Sequence, residues 1–207
     1  MALISTIADN FDDGTRAAIW TDLVSGTGVT TESGGVLNCT PPSNDATPSF
    51  AGYGSVNTFD FTGCRFFARV PGTVAQSSAS LSQILLIFTD ASNFIQWTLT
   101  NTGLLAVTTI ATVTATQATV TYNAATHLWW ALRESGGTTF WETSPNGLTW
   151  TTQFSMANPI TITASKAQLK IFCTASIASP GVGRFDNFNL KPVFPARMAL
   201  MGIGAPQ

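Results

Sequence analysis

The two acidic residues whose spacing comes nearest to a catalytic pair lie in one predicted hairpin. Glu134 and Glu142 flank the dipeptide Gly136-Gly137, and glycoside hydrolysis requires two carboxylates roughly 5 to 9.5 Å apart. A two-residue turn at these glycines places Ala131 opposite Glu142. Because Ala131 and Glu134 differ in parity along one strand, the two carboxylates are predicted to point to opposite faces. They cannot act on one substrate, and we expect this protein not to be an enzyme.

Histidine and cysteine chemistry also lacks its usual sequence context. His127 is the only histidine among 207 residues, and the chain has no Gly-x-Ser-x-Gly nucleophile elbow. His127 follows a run of turn residues, so we expect it at the surface, on the edge of a strand. The three cysteines, Cys39, Cys64 and Cys173, are odd in number and show no C-x-x-C spacing. We therefore predict free, buried thiols rather than disulfides or a zinc site.

One face of the same hairpin carries residues that could bind a sugar. An aromatic ring can stack on a sugar while charged groups bond its hydroxyls, and the residues in register for this are Trp129, Arg133, Phe140 and Glu142. The opposite face, with Trp130, Leu132 and Trp141, is predicted to be core. The alternative for the first face is structural, with Arg133 and Glu142 or Phe140 covering a second layer of the fold.

Acidic residues near the two ends of the chain suggest a calcium site. The segment Asp9-Asn10-Phe11-Asp12-Asp13 opens the predicted domain, and Phe185-Asp186-Asn187-Phe188 closes it. First and last strands of a sandwich often lie side by side, and Ca²⁺ takes six to eight oxygen ligands. A structural Ca²⁺ held by Asp9, Asp12 and Asp186 is therefore the candidate cofactor. The alternative is a pair of turns held by Asx hydrogen bonds.

The composition disfavours two classes of partner. Nine basic against eleven acidic residues leave a net charge of -2, so no basic excess exists to neutralise nucleic-acid phosphates. The longest apolar run, residues 84–88, is far shorter than the ~20 residues of a membrane span. The first ten residues have no basic region and no long apolar stretch, so we expect no signal peptide and synthesis in a cytoplasm.

Alternating strand patterns recur along the chain, and helical periodicity is almost absent. Predicted strands cover residues 65–70, 83–89, 94–100, 104–110, 127–134, 139–143, 148–152, 166–174 and 183–190, and the Thr- and Val-rich residues 107–122 also favour the extended conformation. The parity of apolar residues shifts near Ala111-Thr112, which predicts a bulge or a turn there. Strands in this number without crossover helices predict an all-β fold, a two-sheet antiparallel β-sandwich of the jelly-roll type. We expect a lead-in over 1–8, one domain over 9–190 and an extended tail over 191–207.

The carboxy-terminal tail is unusually apolar for a solvated segment. Its prolines and glycines prevent regular structure, yet it contains Val193, Phe194, Met198, Leu200, Met201 and Ile203. We expect these residues to bind a partner subunit, which makes the protein a homo-oligomer or one part of a larger assembly. The alternative is that the tail lies in a groove of its own domain.

Two segments carry a resemblance to a known family. Residues 127–134 (HLWWALRE) and 141–150 (WETSPNGLTW) resemble the Trp-rich hairpin of concanavalin A-like (LamG-like) jelly-roll modules. These modules occur in structural proteins, often minor tail proteins, of phages that infect actinobacteria. Asn146 departs from the pattern, in which Asp is more usual.

The resemblance implies a function and a setting. It implies a non-enzymatic virion structural protein, either a minor tail protein or a capsid decoration, assembled in the host cytoplasm and carried in the virion. The implied partners are other virion proteins, further copies of the chain and host-surface glycans, with trimers or larger rings expected by analogy. The alternatives are a carbohydrate-binding module without a virion role and, with least support, a glycoside hydrolase.

Overall fold

The computed structural model describes residues 1–45, 48–74 and 77–192. The six apolar tail residues predicted to bind a partner lie outside these ranges. In the described part, no helix has the length and apolar character that crossing a membrane requires. The elements are a 3-10 turn at Ile4–Thr6 and the strands β1 Trp20–Val24, β2 Val29–Glu32, β3 Leu37–Thr40, β4 Ser49–Ser55, β5 Arg65–Gly72, β6 Leu81–Asp90, β7 Asn93–Thr100, β8 Gly103–Ile110, β9 Val113–Val120, β10 Trp129–Ser135, β11 Thr138–Ser144, β12 Thr151–Ala157, β13 Lys166–Cys173 and β14 Gly183–Asp186.

The strands form two seven-stranded antiparallel sheets packed face to face. Sheet I has the order β1-β4-β13-β6-β7-β8-β9, and sheet II has the order β12-β11-β10-β5-β14-β3-β2. The predicted two-sheet antiparallel sandwich is thereby confirmed. The strands β1 to β4, between residues 20 and 55, are additions that the sequence analysis did not identify.

Local turn chemistry determines the register of two hairpins. Gly136 and Gly137 adopt φ of 60° and 79°, and the pair Ala131–Glu142 forms as predicted. Ala111 and Thr112 form the turn between β8 and β9 with φ of 48° and 71°, so the parity shift marks a turn. A β-branched residue seldom adopts positive φ. Here the amides of Ala111 and Thr112 donate to the Asn93 side chain and the Ser92 carbonyl, which hold the turn in place.

The core between the sheets is dominated by aromatic rings. Trp20, Trp97, Trp130 and Trp141 are fully buried, and each contributes a large apolar area. Two indoles also cross between the sheets. Trp97 of sheet I donates to the carbonyls of Ala131 and Glu142 in sheet II at 2.9 and 3.2 Å, and Trp141 donates back to the Gln96 carbonyl at 2.9 Å. The three cysteines are free and buried, as predicted.

Two strands differ from the sequence prediction by three or more residues at an end. The strand predicted at 148–152 begins only at Thr151, because Asn146 Oδ1 accepts the amides of Leu148 and Thr149 at 2.9 Å and prolongs the preceding turn. The last strand ends at Asp186 rather than at residue 190. Positive φ at Asn187 and Asn189 takes the chain out of the extended conformation there.

The close pairing of β4 with β13 leads to a first prediction. A Cβ atom on Gly52 would meet the Leu169 carbonyl oxygen and lie 2.6 Å from Lys170 Cα. Gly52→Ala should lower the free energy of unfolding by about 1–3 kcal/mol, because backbone atoms cannot yield as side chains do. Equilibrium urea unfolding measures this loss.

The matched control is Gly54→Ala on the same strand. The three atoms nearest to a Cβ there all belong to the Leu23 side chain, at 3.0 Å or more, and a side chain can rotate away. Equal losses for the two variants would contradict the role assigned to the β4–β13 backbone contact.

Candidate functional site

Glu142 is the centre of a charged cluster on the outer face of sheet II. Its Oε2 accepts hydrogen bonds from Arg65 Nε and Nη2, both at 2.8 Å, and its Oε1 accepts one from Arg133 Nε at 2.9 Å. The carboxylate is buried, at 3% exposure. Because charge-assisted bonds to two guanidinium groups occupy both oxygens, Glu142 is a structural anchor in this state.

The same two arginines cover aromatic rings. The Arg133 guanidinium lies 3.8 Å from the centre of the Phe140 ring, and that of Arg65 lies 5.0 Å from the centre of the Trp150 ring. Cation–π contacts of this kind stabilise both partners. One face of Phe140 is therefore occupied by the protein's own cation.

Trp129 is buried rather than exposed, which corrects the predicted stacking platform. It is 2% exposed and forms a small cluster with Phe67 and Ala131. Phe67 also packs against Trp150, with ring centres 5.6 Å apart. The long turn after β11 brings Trp150 over the outer face of the sheet, so this face carries a second hydrophobic layer. The face therefore has the structural role given above as the alternative to sugar binding, in which Arg133 and Glu142 or Phe140 cover a second layer of the fold.

Glu134 points to the opposite face from Glu142, as predicted. Its carboxylate accepts the backbone N–H groups of Gly63 and Gly137 and the side-chain amide of Asn158. Burial by itself would raise the pKa of Glu134, but these three donors outweigh it and hold the pKa below its ordinary value. Glu134 thus ties the β10–β11 turn to neighbouring loops.

His127 is buried, so its predicted surface position is wrong. Its Nδ1 accepts the Asn123 amide at 3.1 Å, and its carbonyl accepts the Trp130 indole at 2.8 Å. Burial lowers the pKa of His127. The residue therefore holds the turn before β10 as a neutral imidazole.

The opening and closing segments of the domain meet, and their acidic side chains bond to donors of the protein. The Asp9 amide donates to the Phe188 carbonyl at 3.0 Å. The Asp9 carboxylate accepts the Trp20 indole and the Phe11 amide, each within 2.9 Å. Asp186 pairs with Arg69 at 2.9 Å.

Asp12, the third predicted ligand, is likewise engaged and accepts the Asn10 side-chain amide at 2.7 Å. Within residues 1–45, 48–74 and 77–192, no group of three or more His, Cys, Asp or Glu side chains could hold a metal ion. In this part of the chain, different protein donors take the three carboxylates, and the calcium site stays a prediction. Asx-type bonds organise the opening segment instead.

A groove lies where the opening segment of the domain meets the closing segment and the turn after β11. We call it the terminal groove. Its volume is about 570 Å³, and its lining combines amide and charged groups with apolar ones: Asn10, Asp12, Arg69, Leu128, Trp129, Pro145, Asn146, Asn187, Leu190, Lys191 and Pro192.

The terminal groove joins residues from two separately predicted sites. Asp12 and Trp129 line it, and Asp186 orients the lining residue Arg69, whereas Arg133, Phe140 and Glu142 do not line it. The sequence analysis missed Asn10, Arg69, Asn146 and Asn187 as members. For the three asparagines, the only indication in the sequence was that Asn occurs in the opening, closing and hairpin turns. The fold brings these turns together. Nothing in the sequence indicated Arg69.

Comparisons with known proteins identify the fold. The sequence matches no protein-family model and no curated protein. Among solved structures, a Bacillus licheniformis β-glucanase superposes with a TM-score of 0.63 at 10% identity, covering 88% of this chain and 94% of that one. A β-1,3-1,4-glucanase (lichenase) from a mouse hindgut metagenome gives 0.60 at 10% identity over 88% and 95%.

A third similar structure, the apo Crh5 transglycosylase, gives a TM-score of 0.55 at 9% identity over 90% of this chain and 83% of that one. At such identities the likeness shows the fold alone. The chain is an all-β, two-sheet antiparallel sandwich of the concanavalin A-like type.

The double pairing of Glu142 leads to a second prediction. Glu142→Gln should lower the free energy of unfolding by about 2 kcal/mol, because two arginines lose their buried counter-charge while remaining a quarter to a third exposed. Urea unfolding at neutral pH measures this loss.

The comparison variant is Asp22→Asn, which removes the exposed Arg16–Asp22 pair at 3.4 Å. Exposed pairs contribute below about 1 kcal/mol. If Glu142→Gln costs no more than Asp22→Asn, the assigned anchoring role of Glu142 is wrong.

Proposed function

We propose that this chain is a non-catalytic structural module that works within an assembled particle. The resemblance of its Trp-rich hairpin to phage modules makes a virion, as a minor tail protein or capsid decoration, the setting we favour. The proposal that the module is non-catalytic rests on the positions and partners of Glu134 and Glu142. They lie on opposite faces, and structural donors hold each of them.

We further propose that the terminal groove binds a host-surface glycan. Sugars present hydroxyls around their rims and C–H groups on their faces. The groove offers Asn and Asp side chains near Arg69 and Lys191, with Leu128, Pro145 and Leu190 as apolar surface. This supports sugar binding at the chain ends rather than on the hairpin face.

Assembly is supported by the edge of sheet I. The strand β9 has no charged residue, and residues 113–116 are all exposed, with Val113 at 70%. The neighbouring edge strand of sheet II, β12, is also uncharged. Monomeric proteins usually protect such edges with charges or prolines. We propose that β9 pairs with β9 of a second copy, which meets no like-charge repulsion, while the tail residues bind a neighbouring subunit.

The glycan proposal is tested on a glycan array that includes host cell wall and β-1,3-1,4-glucan. The protein should bind at least one glycan without releasing reducing sugar, and Asp12→Ala should weaken binding about tenfold or more, because a charged acceptor is lost. Asp90→Ala, which removes an acidic residue lining a different groove, should leave binding unchanged. Sugar release would favour the hydrolase alternative, and equal binding by both variants would reject the terminal groove.

The assembly proposal is tested by sedimentation of the purified chain. The full chain should form oligomers, and Ala115→Lys should shift them toward monomers, since a lysine opposes strand pairing at an edge. Thr21→Lys, at an exposed position on the opposite edge strand β1, is the matched control. Sedimentation of a chain that ends at residue 192 tests separately whether the tail contributes to the oligomers. A full chain that stays monomeric at high concentration would refute self-assembly.

A further inference from the structure

A smaller pocket opens between the sheets at the β1–β2 edge of the sandwich. We call it the edge pocket. Its volume is about 290 Å³, and its lining includes Arg16 and Asp22 at the rim and Glu32 and Tyr53 inside. Glu32 ends the edge strand β2, and Tyr53 lies on β4 of the opposite sheet. The pocket is separate from the terminal groove, and the inference below does not rest on the proposed function.

Glu32 is buried without a well-formed hydrogen bond. The residue is 8% exposed, and neither carboxylate oxygen has a partner of standard hydrogen-bond geometry, although the Tyr53 hydroxyl is close enough to affect its pKa. Such groups are rare in folded proteins, because an unsatisfied buried acceptor forfeits its hydration. The Glu32 oxygens can therefore accept hydrogen bonds from a donor that enters the pocket.

The charges around Glu32 are mainly negative. Burial is the main cause that raises the pKa of Glu32 to about 7, and the charges of Asp9 and Asp13 raise it further while the nearby Tyr53 hydroxyl lowers it. Arg16 is already used, since it pairs with Asp22 and donates to the Trp20 carbonyl. The pocket therefore repels anions and favours a cationic group.

A cation with N–H donors fits this pocket better than a metal ion does. Across the described residues, no cluster of three or more His, Cys, Asp and Glu side chains could hold a metal. An ammonium group supplies three donors and needs no fixed coordination shell. We propose that the edge pocket binds a primary ammonium group, with Glu32 as its counter-ion.

Two sources could present this group, an amino sugar or a lysine side chain of another protein. Calorimetric titration at about pH 7.5 with glucosamine and with Nα-acetyl-lysine amide distinguishes them, and N-acetylglucosamine and norleucine amide are the neutral probes. At least one amine should bind more than tenfold more tightly than its neutral counterpart. If neither amine binds at millimolar concentration, or if the neutral probes bind equally well, the pocket holds only water and the proposal fails.

The key variant is Glu32→Gln, which keeps the shape of the side chain and removes its charge. It should abolish amine binding. The control Asp90→Asn removes a carboxylate outside the pocket and should leave amine binding intact. Glu32→Gln should also raise the melting temperature at about pH 8 by about 2–4 °C, because the ionised carboxylate destabilises the free fold. Unchanged amine binding by Glu32→Gln would overturn the assignment.

The pH dependence gives a second readout that requires no variant. Because the folded pKa of Glu32 lies above its ordinary 4.5, at about 7, the carboxylate is mostly neutral at pH 5.5 and mostly charged at pH 8. The lysine side chain keeps its proton over this range. Binding of Nα-acetyl-lysine amide should therefore strengthen on the order of 30-fold from pH 5.5 to pH 8. Binding that is independent of pH would exclude Glu32 as the counter-ion.

Discussion

The relative position of the two sheets depends on hydrogen bonds that cross the core from tryptophan indoles. Trp97 donates from sheet I to two carbonyls of sheet II, and Trp141 donates in the reverse direction to Gln96. An indole N–H deep in an apolar core forfeits its hydration unless it finds an acceptor. Sliding one sheet over the other would break all three bonds at once. The β10–β11 hairpin is therefore held in one position against β7.

This constraint determines where chemistry can occur. With the inner face of the hairpin committed to the core, its outer face is closed by the ion pairs of Glu142 and by Trp150 above Phe67. The terminal groove and the edge pocket lie away from this face, at the rims of the sandwich where loops and edge strands meet.

Features set by neighbours in the chain could be predicted from the sequence. The Gly136-Gly137 turn fixed the pairing of Ala131 with Glu142, and the parity shift marked the turn at Ala111-Thr112. Features set by distant residues could not. The burial of Trp129 depends on Phe67, and the donors to the Asp9 and Asp186 carboxylates are the distant residues Trp20 and Arg69.

The sequence by itself determined the all-β class, the local hairpins and the separation of Glu134 from Glu142, because side-chain alternation has a period of two residues. Only the tertiary structure decided which acidic residues are neutralised and which is left unpaired. Glu142 meets Arg65 from 77 positions away, whereas Glu32 is enclosed between the sheets with no donor in standard hydrogen-bond geometry. That difference arises from which strands the topology makes neighbours, and no local pattern in the chain encodes it.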